Sequence, residues 1–330
     1  MALSLPQRAI GKSGINASAI GLGCMSFSGV YGASDDAAAT VLIYEALDQG
    51  ITLLDSSDAY GKGHNETLLG QALKGRRSGV VLATKFGNLG GAGGKFADGR
   101  PEFVVSSCEA SLKRLGVETI DLYYAHRIDP TVPIEDTVGA MSRLVQQGKV
   151  RALGLSEASP KTIARAHKVH PIAALQNEYS LLYREQADDT HKTTRELGIS
   201  FVAYAPLGRG LLTSDIADPA TLAEGDTRKR QPRYAGDNLA HNRALAQKVE
   251  VIAKRKGCTP AQLALAWVLA QGTDVIPIPG TKQKKRLLEN IGALNVKLSE
   301  SELAEISSAV PAGAVKGTRY PEGQMASLYI

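Results

Sequence analysis

Eight short apolar runs alternate with longer amphipathic segments along the 330 residues, and this alternation predicts an α/β fold, a (β/α)8 TIM barrel. Each strand-to-strand unit has βαβ length, which indicates parallel strands joined by right-handed crossovers. A doubly wound open sheet is the alternative, but the number of units favours the closed barrel. The predicted strands span 18–23, 51–55, 79–85, 120–126, 150–156, 172–178, 199–204 and 273–280.

Helical patterns fill the intervals between these strands. Asp35 and Ser159-Pro160 indicate helix starts, because short polar side chains cap the first turn and proline fits its first position. Glycines that can end a helix stand at Gly50, Gly116, Gly148 and Gly198. The predicted helices span 35–49, 65–74, 101–115, 133–147, 160–167, 185–197, 238–271 and 284–292.

Two segments are longer than a minimal barrel needs. One is the Gly-, Arg- and Asp-rich segment 207–237, a long loop after strand 7, and the other is the extended C-terminal tail 311–330. Loops of this length are usually functional lids or disordered pieces. No linker or larger repeat divides the chain, so we expect a single domain, 1–330, with a barrel core at about 8–300.

The composition limits the class of protein. With 43% hydrophobic and 22% charged residues, the chain can bury a sizeable core, and its net charge of +5 is modest. The one basic cluster, near Lys282, has no interleaved aromatic residues, so no nucleic-acid partner is expected. Three distant cysteines and the lack of a signal peptide or a long apolar segment favour a cytoplasmic protein that does not enter the membrane.

Ionisable residues occupy three successive strand ends. Asp55, Lys85 and His126 end the second, third and fourth predicted strands, and Tyr60 follows Asp55 in the next loop. Each has a structural alternative: a turn former, a solvated lysine, a core histidine or a packed phenol. Because catalytic groups of such barrels stand at the carboxyl ends of the strands, the four together predict an active site.

The chemistry of these four side chains suits a carbonyl group. The ordinary tyrosine pKa of about 10 is high for a proton donor near neutral pH, and a nearby lysine cation is expected to lower the pKa of Tyr60. Asp55 would keep Lys85 charged and oriented, and His126 would offer a second donor to the carbonyl oxygen. Without a nucleophile beside a base, acyl transfer is disfavoured, and reduction with hydride from a cofactor is predicted.

Seven motifs in a fixed order carry a resemblance to a known family. The run from Gly50 to Gly70 is followed by ATK, LYYAHRID, GLSE, QNEYS, YAPLGRGLL and IPIPGTK. From about residue 8 to residue 300 the chain therefore resembles the aldo-keto reductases, in particular the pyridoxal reductase-like branch of broad aldehyde and ketone reductases. The resemblance implies NADPH-dependent reduction of aldehydes or ketones to alcohols, with Asp55, Tyr60, Lys85 and His126 as the catalytic tetrad and Tyr60 as general acid.

The resemblance also implies contacts to the nicotinamide cofactor. Ser156, Gln176 and Asn177 would bind the carboxamide, and Tyr204 would stack beneath the nicotinamide ring. The segment 205–211 would run along the pyrophosphate, with contacts from Ala205, Pro206, Leu207, Gly208, Gly210 and Leu211.

The last motif concerns the adenosine end of the cofactor. The residues that match the family's adenosine-binding segment are Gly280, Thr281, Lys282, Gln283, Arg286, Glu289 and Asn290. A 2′-phosphate binds ammonium or guanidinium groups and backbone donors at a helix start, which Thr281, Lys282 and Arg286 would supply. NADPH/NADP⁺ is therefore preferred. NADH stays a less preferred alternative, and the strength of the preference stays open, because Gly280 stands where the family's best-known branch has a lysine.

Two motifs have competing interpretations. The run GLGCMS at 21–26 begins like a dinucleotide fingerprint, but its third glycine position is Ser26. We interpret it as the first barrel strand, with Met25 or Ser26 near the cofactor. The nearby set Asp58, His64 and Glu66 is a weak metal-ligand pattern with a single histidine, so no metal is expected.

The substrate and the assembly stay open on the sequence. A small-molecule carbonyl compound is expected, with candidate walls at Phe27, Tyr31, Phe86 and Arg127 and in the long loop and tail. The alternatives to a reductase are a nucleotide-binding regulatory subunit of the same fold with little catalysis, like the potassium-channel β subunits, and a metal-dependent barrel hydrolase. Both a monomer and a homo-oligomer fit the chain.

Overall fold

Eight parallel strands form the centre of the molecule. The computed structural model describes residues 4–215 and 218–330. Each of the strands β3 to β10 pairs with its neighbour along the chain. The strands are β1 (Gln7–Ala9), β2 (Asn16–Ser18), β3 (Leu22–Gly23), β4 (Leu53–Asp55), β5 (Val81–Phe86), β6 (Ile120–Ala125), β7 (Val150–Ser156), β8 (Ile172–Glu178), β9 (Ser200–Tyr204) and β10 (Val275–Pro277).

Backbone hydrogen bonds also join the first and the last strand of this sheet. The Gly21 N–H donates to the Pro277 carbonyl oxygen at 2.9 Å, and the Gly23 N–H donates to that of Pro279 at 3.3 Å. The sheet therefore curls round until its two edges meet. The predicted (β/α)8 barrel is confirmed.

Helices surround the barrel. They are α1 (Asp36–Asp48), α2 (His64–Ala72), α3 (Pro101–Leu115), α4 (Ile134–Gln146), α5 (Pro160–Val169), α6 (Glu185–Leu197), α7 (Gly236–Lys256), α8 (Pro260–Leu269), α9 (Lys284–Gly292), α10 (Glu300–Ala309) and α11 (Glu322–Met325). Asp35 and Ser159 cap α1 and α5 as predicted, each accepting a bond from a first-turn N–H. Among the described residues, no helix has the length and apolarity needed to cross a membrane.

Alternate residues of each strand contribute to two separate cores. Leu53, Val81 and Leu122 belong to the inner cluster, whereas their neighbours Leu54 and Leu82 pack in the larger outer cluster with helix residues. Inside the barrel the space is narrow at Gly154, where a Cβ atom would lie 2.3 Å from the Tyr124 ring. Such dense packing fixes the strand ends on which the site is built.

Several parts of the chain differ from the predicted elements. The predicted helix 238–271 is two helices, because Gly257 ends α7 at a φ of 72° and Thr259 begins α8 with a capping box. The hairpin of β1 and β2 was not predicted, and its apolar residues pack into the inner cluster. Helix α10 was not predicted either, although Ser299 and Glu302 form its capping box.

The long loop and the tail both lie over the carboxyl ends of the strands. The loop runs from the end of β9 to α7 through several short 3₁₀ turns, and residues 216 and 217 within it are outside the described part. The tail folds back so that the Ile330 carbonyl oxygen accepts a bond from the Ser159 N–H at 2.8 Å. Both segments are thereby placed to form walls of one cleft.

Candidate functional site

The structure brings together the four predicted catalytic residues. Asp55 ends β4, Lys85 lies near the end of β5, and His126 follows β6, so parallel pairing places them side by side. The Lys85 Nζ atom lies 2.6 Å from Asp55 Oδ1 and 3.2 Å from the Tyr60 hydroxyl. The Tyr60 and His126 rings meet edge to face, with centroids 5.8 Å apart.

Lys85 is fully buried and its three ammonium hydrogens all have partners. Besides Asp55 and Tyr60, Nζ donates to the Ser56 carbonyl oxygen at 2.6 Å. Burial lowers the pKa of Lys85, but the Asp55 carboxylate and the Tyr60 hydroxyl together outweigh it and hold that pKa above its ordinary 10.5. Lys85 is therefore a cation throughout the neutral range, as predicted.

The pKa of Tyr60 differs from the prediction. Burial raises this pKa above 10.0, and the opposing effect of Lys85 is smaller. The predicted net lowering is therefore wrong, although Lys85 does act in the predicted direction. Desolvation wins because the hydroxyl lies inside the barrel mouth, where a phenolate loses most of its hydration.

His126 is neutral in this site. Burial, together with the Arg127 and Lys85 cations, holds the pKa of His126 well below 6.5. Its Nδ1 atom lies 2.9 Å from the Ser57 hydroxyl oxygen. When Ser57 donates this hydrogen bond, the proton of the imidazole resides on Nε2, where it can be donated to a ligand.

A cavity of about 600 Å³ leads away from these residues. Tyr60, His126 and Asp55 line one end of it. Most of the residues predicted to bind the cofactor line the remainder: Met25, Ser156, Gln176, Tyr204, Ala205, Pro206, Leu207, Gly210, Gly280, Thr281, Lys282, Gln283, Arg286, Glu289 and Asn290. One continuous cleft therefore connects the tetrad with the segment at the start of α9.

Several predicted contacts lie elsewhere. Leu211 is fully buried in the outer core, and Gly208 is also buried away from the cleft. Asn177 uses both side-chain atoms inside the protein: Oδ1 accepts from the Glu157 N–H and Nδ2 donates to Thr190. Of the candidate substrate walls, Phe27 and Phe86 are core residues, whereas Tyr31 and Arg127 line the cleft.

Polar groups at the end of the cleft beside Asp55 are available to a ligand. The Ser156 Oγ atom is buried, lines the cleft and has no hydrogen-bond partner among the described residues. A buried hydroxyl without a partner is uncommon, and a bound amide would satisfy it. Gln176 donates from Nε2 to Asp55 Oδ2 at 2.8 Å, which also fixes the orientation of that carboxylate.

The opposite end of the cleft is basic. Gln283, the residue before α9, makes no side-chain cap, so first-turn N–H groups of this helix are free of a capping side chain. Arg286 contacts Asp215 of the long loop and lies 2.6 Å from Glu289 Oε2. Lys282 donates to the carbonyl oxygens of residues 31 and 33, both at 2.9 Å.

The geometry does not support a metal site at Asp58, His64 and Glu66. His64 contacts Asp36 at 3.0 Å, and Glu66 accepts from Thr84 and Arg114 instead. Within residues 4–215 and 218–330, no group of three or more His, Cys, Asp or Glu side chains could hold a metal ion.

A buried ion cluster joins the loop and the tail to the barrel. Glu157 follows β7 and binds Arg319 of the tail through two bonds of 2.8 Å. Glu178 ends β8 and binds two arginines of the long loop, Arg209 at 2.8 Å and Arg233 at 2.9 Å. Because these charges are desolvated and paired, they hold both segments in place around the cleft.

The sequence interpretation missed this cluster and the tail residue that adjoins it. The Tyr204 hydroxyl donates to Glu157 at 2.8 Å and lies 3.1 Å from the hydroxyl of Tyr320, which also lines the cleft. A signal for the two glutamates was available, since both occupy strand ends like Asp55. For Tyr320 no local pattern existed, because its position depends on how the tail folds back.

The fold and the site together define a class of barrel oxidoreductases, in which a lysine-linked tyrosine and a histidine stand at the mouth beside a long cleft. The model of the Aldo/keto reductase family matches residues 19–311. The chain belongs to this family.

Relatives of known name agree with this assignment. The chain is 48% identical over 318 residues to probable aldo-keto reductase 1 of Glycine max, covering 95% of this chain and 91% of that protein. A glycerol dehydrogenase from Gluconobacter oxydans superposes with a TM-score of 0.82 at 29% identity, covering 92% of this chain and 94% of its own. The holo form of an aldo-keto reductase from Bacillus halodurans superposes with a TM-score of 0.75 at 28% sequence identity, and the superposition covers 97% of this chain and 99% of that chain.

The ion cluster generates a prediction for stability. Replacing Arg319 by Ala leaves the Glu157 carboxylate buried without its bidentate partner, and we expect a loss of about 3–5 kcal/mol in the free energy of unfolding at neutral pH. The matched control is Arg165→Ala, which breaks an exposed pair with Glu135 and should lose far less stability, because solvent screens that pair. Urea unfolding of the wild type and of the two variants measures both losses in the free energy of unfolding.

The pH dependence of this loss follows from the pKa of Glu157. Burial raises that pKa, but Arg319 reverses the effect, so the folded pKa lies below 4.5 and the carboxylate adds stability that is lost as the pH falls through it. In the variant, burial still raises the pKa of Glu157 and only Tyr204 and the Arg127 cation oppose it, so the folded pKa is higher than in the wild type. The difference between wild type and variant should therefore narrow on acidification, and a constant difference would contradict the assigned pairing.

Proposed function

We propose that this protein reduces aldehydes or ketones to alcohols with NADPH, and that Tyr60 is the general acid. One observation carries the proposal. The buried Lys85 ammonium binds Asp55 and the Tyr60 hydroxyl at once, and that hydroxyl lines the cleft where a substrate can reach it. Family membership supports carbonyl reduction in general.

Tyr60 carries the proton that the reaction needs, although its raised pKa makes the phenol a weaker acid than an exposed tyrosine. Because burial keeps this pKa above 10.0, the phenol carries its proton throughout the neutral range. When the proton leaves for a carbonyl oxygen, the adjacent Lys85 cation stabilises the phenolate that remains. Asp55 in turn keeps Lys85 charged.

Neutral His126 would be the second donor to the same oxygen. With Nδ1 held by Ser57, Nε2–H can donate to the oxygen on which negative charge develops. An imidazolium would be the stronger acid, but the surrounding cations and burial exclude it, since they hold the pKa of His126 well below 6.5. His126 thus orients and polarises the carbonyl while Tyr60 supplies the proton.

The cleft residues fit a nicotinamide cofactor, which supplies the hydride when bound. Ser156 and Gln176 would hold the carboxamide, and the unpartnered Ser156 hydroxyl is the observation that favours this. Tyr204 would lie against the ring, and residues 205–207 with Gly210 would follow the pyrophosphate.

The phosphorylated form of the cofactor is proposed from the far end of the cleft. Lys282, Arg286 and the uncapped start of α9 give two cations and backbone donors to a 2′-phosphate. Asp215, an exposed carboxylate on the long loop, occupies the neighbourhood of Arg286 in the present conformation. A bound phosphate would take over this contact.

We place the enzyme in the cytoplasm. Its cysteines Cys24, Cys108 and Cys258 are free thiols, as expected in a reducing compartment.

Replacing Tyr60 by Phe tests the proposed acid. We expect the rate of 4-nitrobenzaldehyde reduction to fall by at least about 100-fold, because the proton donor is lost, while NADPH affinity stays near the wild-type value. NADPH oxidation followed by absorbance measures the rate, and fluorescence titration measures the affinity. The control is Tyr44→Phe on α1, which should behave like the wild type.

Two results would overturn this proposal. A Tyr60→Phe variant that reduces the aldehyde at the wild-type rate would exclude Tyr60 as the acid. Tight NADPH binding by the wild type without turnover of any reactive aldehyde would favour a nucleotide-binding regulatory subunit instead.

Replacing Arg286 by Ala tests the cofactor assignment. The dissociation constant for NADPH should rise about 10-fold, because a charged hydrogen-bond donor to the 2′-phosphate is lost, whereas that for NADH should change little. Arg255→Ala on α7, which breaks an exposed pair with Glu305, is the control. Equal weakening of both cofactors would count against the 2′-phosphate site.

A further inference from the structure

Arg127 differs from the other arginines of the cleft. Four arginines line it, and three bind carboxylates: Arg209 to Glu178, Arg228 to Asp226 at 2.7 Å, and Arg286 to Glu289 and Asp215. Over residues 4–215 and 218–330, no carboxylate lies within salt-bridge distance of Arg127. One nitrogen of its guanidinium, Nη1, donates to the His126 carbonyl oxygen at 2.7 Å, which leaves most of the five N–H donors unassigned.

The position of Arg127 places this guanidinium at the reacting end of the cleft. It is the residue after His126, and it lines the cleft together with Tyr60 and Tyr320. The Arg127 charge acts on both proposed donors to the carbonyl oxygen, because it contributes to lowering the pKa of His126 and of Tyr60. Glu157 acts to raise the pKa of Arg127, but it lies beyond salt-bridge distance and is bound by Arg319, so this half-buried cation has no carboxylate in direct contact among the described residues. An arginine stays charged at neutral pH, and an anion on a ligand would offset the cost of burying it.

The cofactor phosphates do not account for this charge. The segments proposed for them follow the seventh and eighth strands of the barrel, β9 and β10, whereas Arg127 follows the fourth, β6. These strands lie on different sides of the ring. The carbonyl substrate is the other molecule expected in the cleft, and an anionic group on it would give Arg127 the direct partner that it lacks.

We propose that Arg127 binds a carboxylate of the substrate, so that the preferred substrates are aldehydes or ketones with a carboxylate group near the carbonyl. A single guanidinium matches a single negative charge and can bind the two carboxylate oxygens side by side. Lys85, a second cation beside Tyr60, is already saturated by Asp55, Ser56 and Tyr60.

The reaction itself is that of the proposed function, on which this inference rests. Tyr60 would give its proton to the carbonyl oxygen, and a bound NADPH would supply the hydride that forms the C–H bond at the carbonyl carbon and would leave as NADP⁺. The carboxylate takes no part in these bond changes. Arg127 acts in positioning, because its ion pair would hold the carbonyl against Tyr60 and His126.

A pair of substrates of the same shape tests the inference. 4-Carboxybenzaldehyde and 4-nitrobenzaldehyde carry planar groups of similar size that differ in charge, so the ratio of their kcat/KM values reports recognition of the carboxylate. In Arg127→Gln this ratio should fall at least about 10-fold, mainly through KM for the carboxylated substrate. Arg127→Lys, which keeps the charge but loses the planar fork, should give an intermediate ratio, and the surface variant Arg165→Gln should keep that of the wild type.

A second readout does not depend on turnover. Benzoate should compete with 4-carboxybenzaldehyde, and its inhibition constant should rise at least about 10-fold in Arg127→Gln and less in Arg127→Lys. An unchanged substrate ratio, or equal inhibition of wild type and Arg127→Gln by benzoate, would overturn the inference. Failure of the wild type to reduce either aldehyde would instead overturn the proposed function, so the two failures are distinguishable.

Discussion

The buried ion pair between Lys85 and Asp55 is the interaction on which the site depends. A lysine without solvent contact is costly unless all its hydrogens find acceptors, and Lys85 finds three in a closed barrel mouth. Asp55 is fixed from its other oxygen by Gln176, which comes from a strand on the far side of the ring. This arrangement of the pair therefore requires a closed barrel, and the proton donation proposed for Tyr60 requires the pair.

A second set of buried charges shapes the cleft around this centre. The glutamates that follow β7 and end β8 bind three arginines that belong to the long loop and the tail. Glu157 has a φ of 55°, a strained conformation for this residue, and its interactions with Arg319 and Asn177 hold it there. The barrel rim thus orders the two irregular segments, and these segments bring Arg209, Arg228 and Tyr320 to the cleft.

Local patterns predict the barrel and the tetrad because both follow from periodicity and from strand ends. The eight strands, most helices and the grouping of Asp55, Lys85 and His126 all fall into this class. The sign of the Tyr60 pKa shift was wrong because desolvation depends on how deeply the mouth is covered, which no local pattern contains. The arginine partners of Glu157 and Glu178 were missed for a related reason. They come from the long loop and the tail, which are distant in the chain, and Arg319 is the most distant of them. Asn177 sits beside a true cleft residue, but strand alternation turns it outward.

The central claim is that Asp55 keeps Lys85 charged so that Lys85 can support proton donation by Tyr60. Single-turnover reduction of 4-nitrobenzaldehyde by bound NADPH, measured from pH ~6 to ~9, tests it most directly. In Asp55→Asn, burial should bring the pKa of Lys85 down, so the rate should fall as the pH rises and Lys85 loses its proton. The profile should stay flat in the wild type and in Asp58→Asn, which removes a neighbouring carboxyl whose pKa burial raises to about 7. An Asp55→Asn profile as flat as that of the wild type would contradict the account.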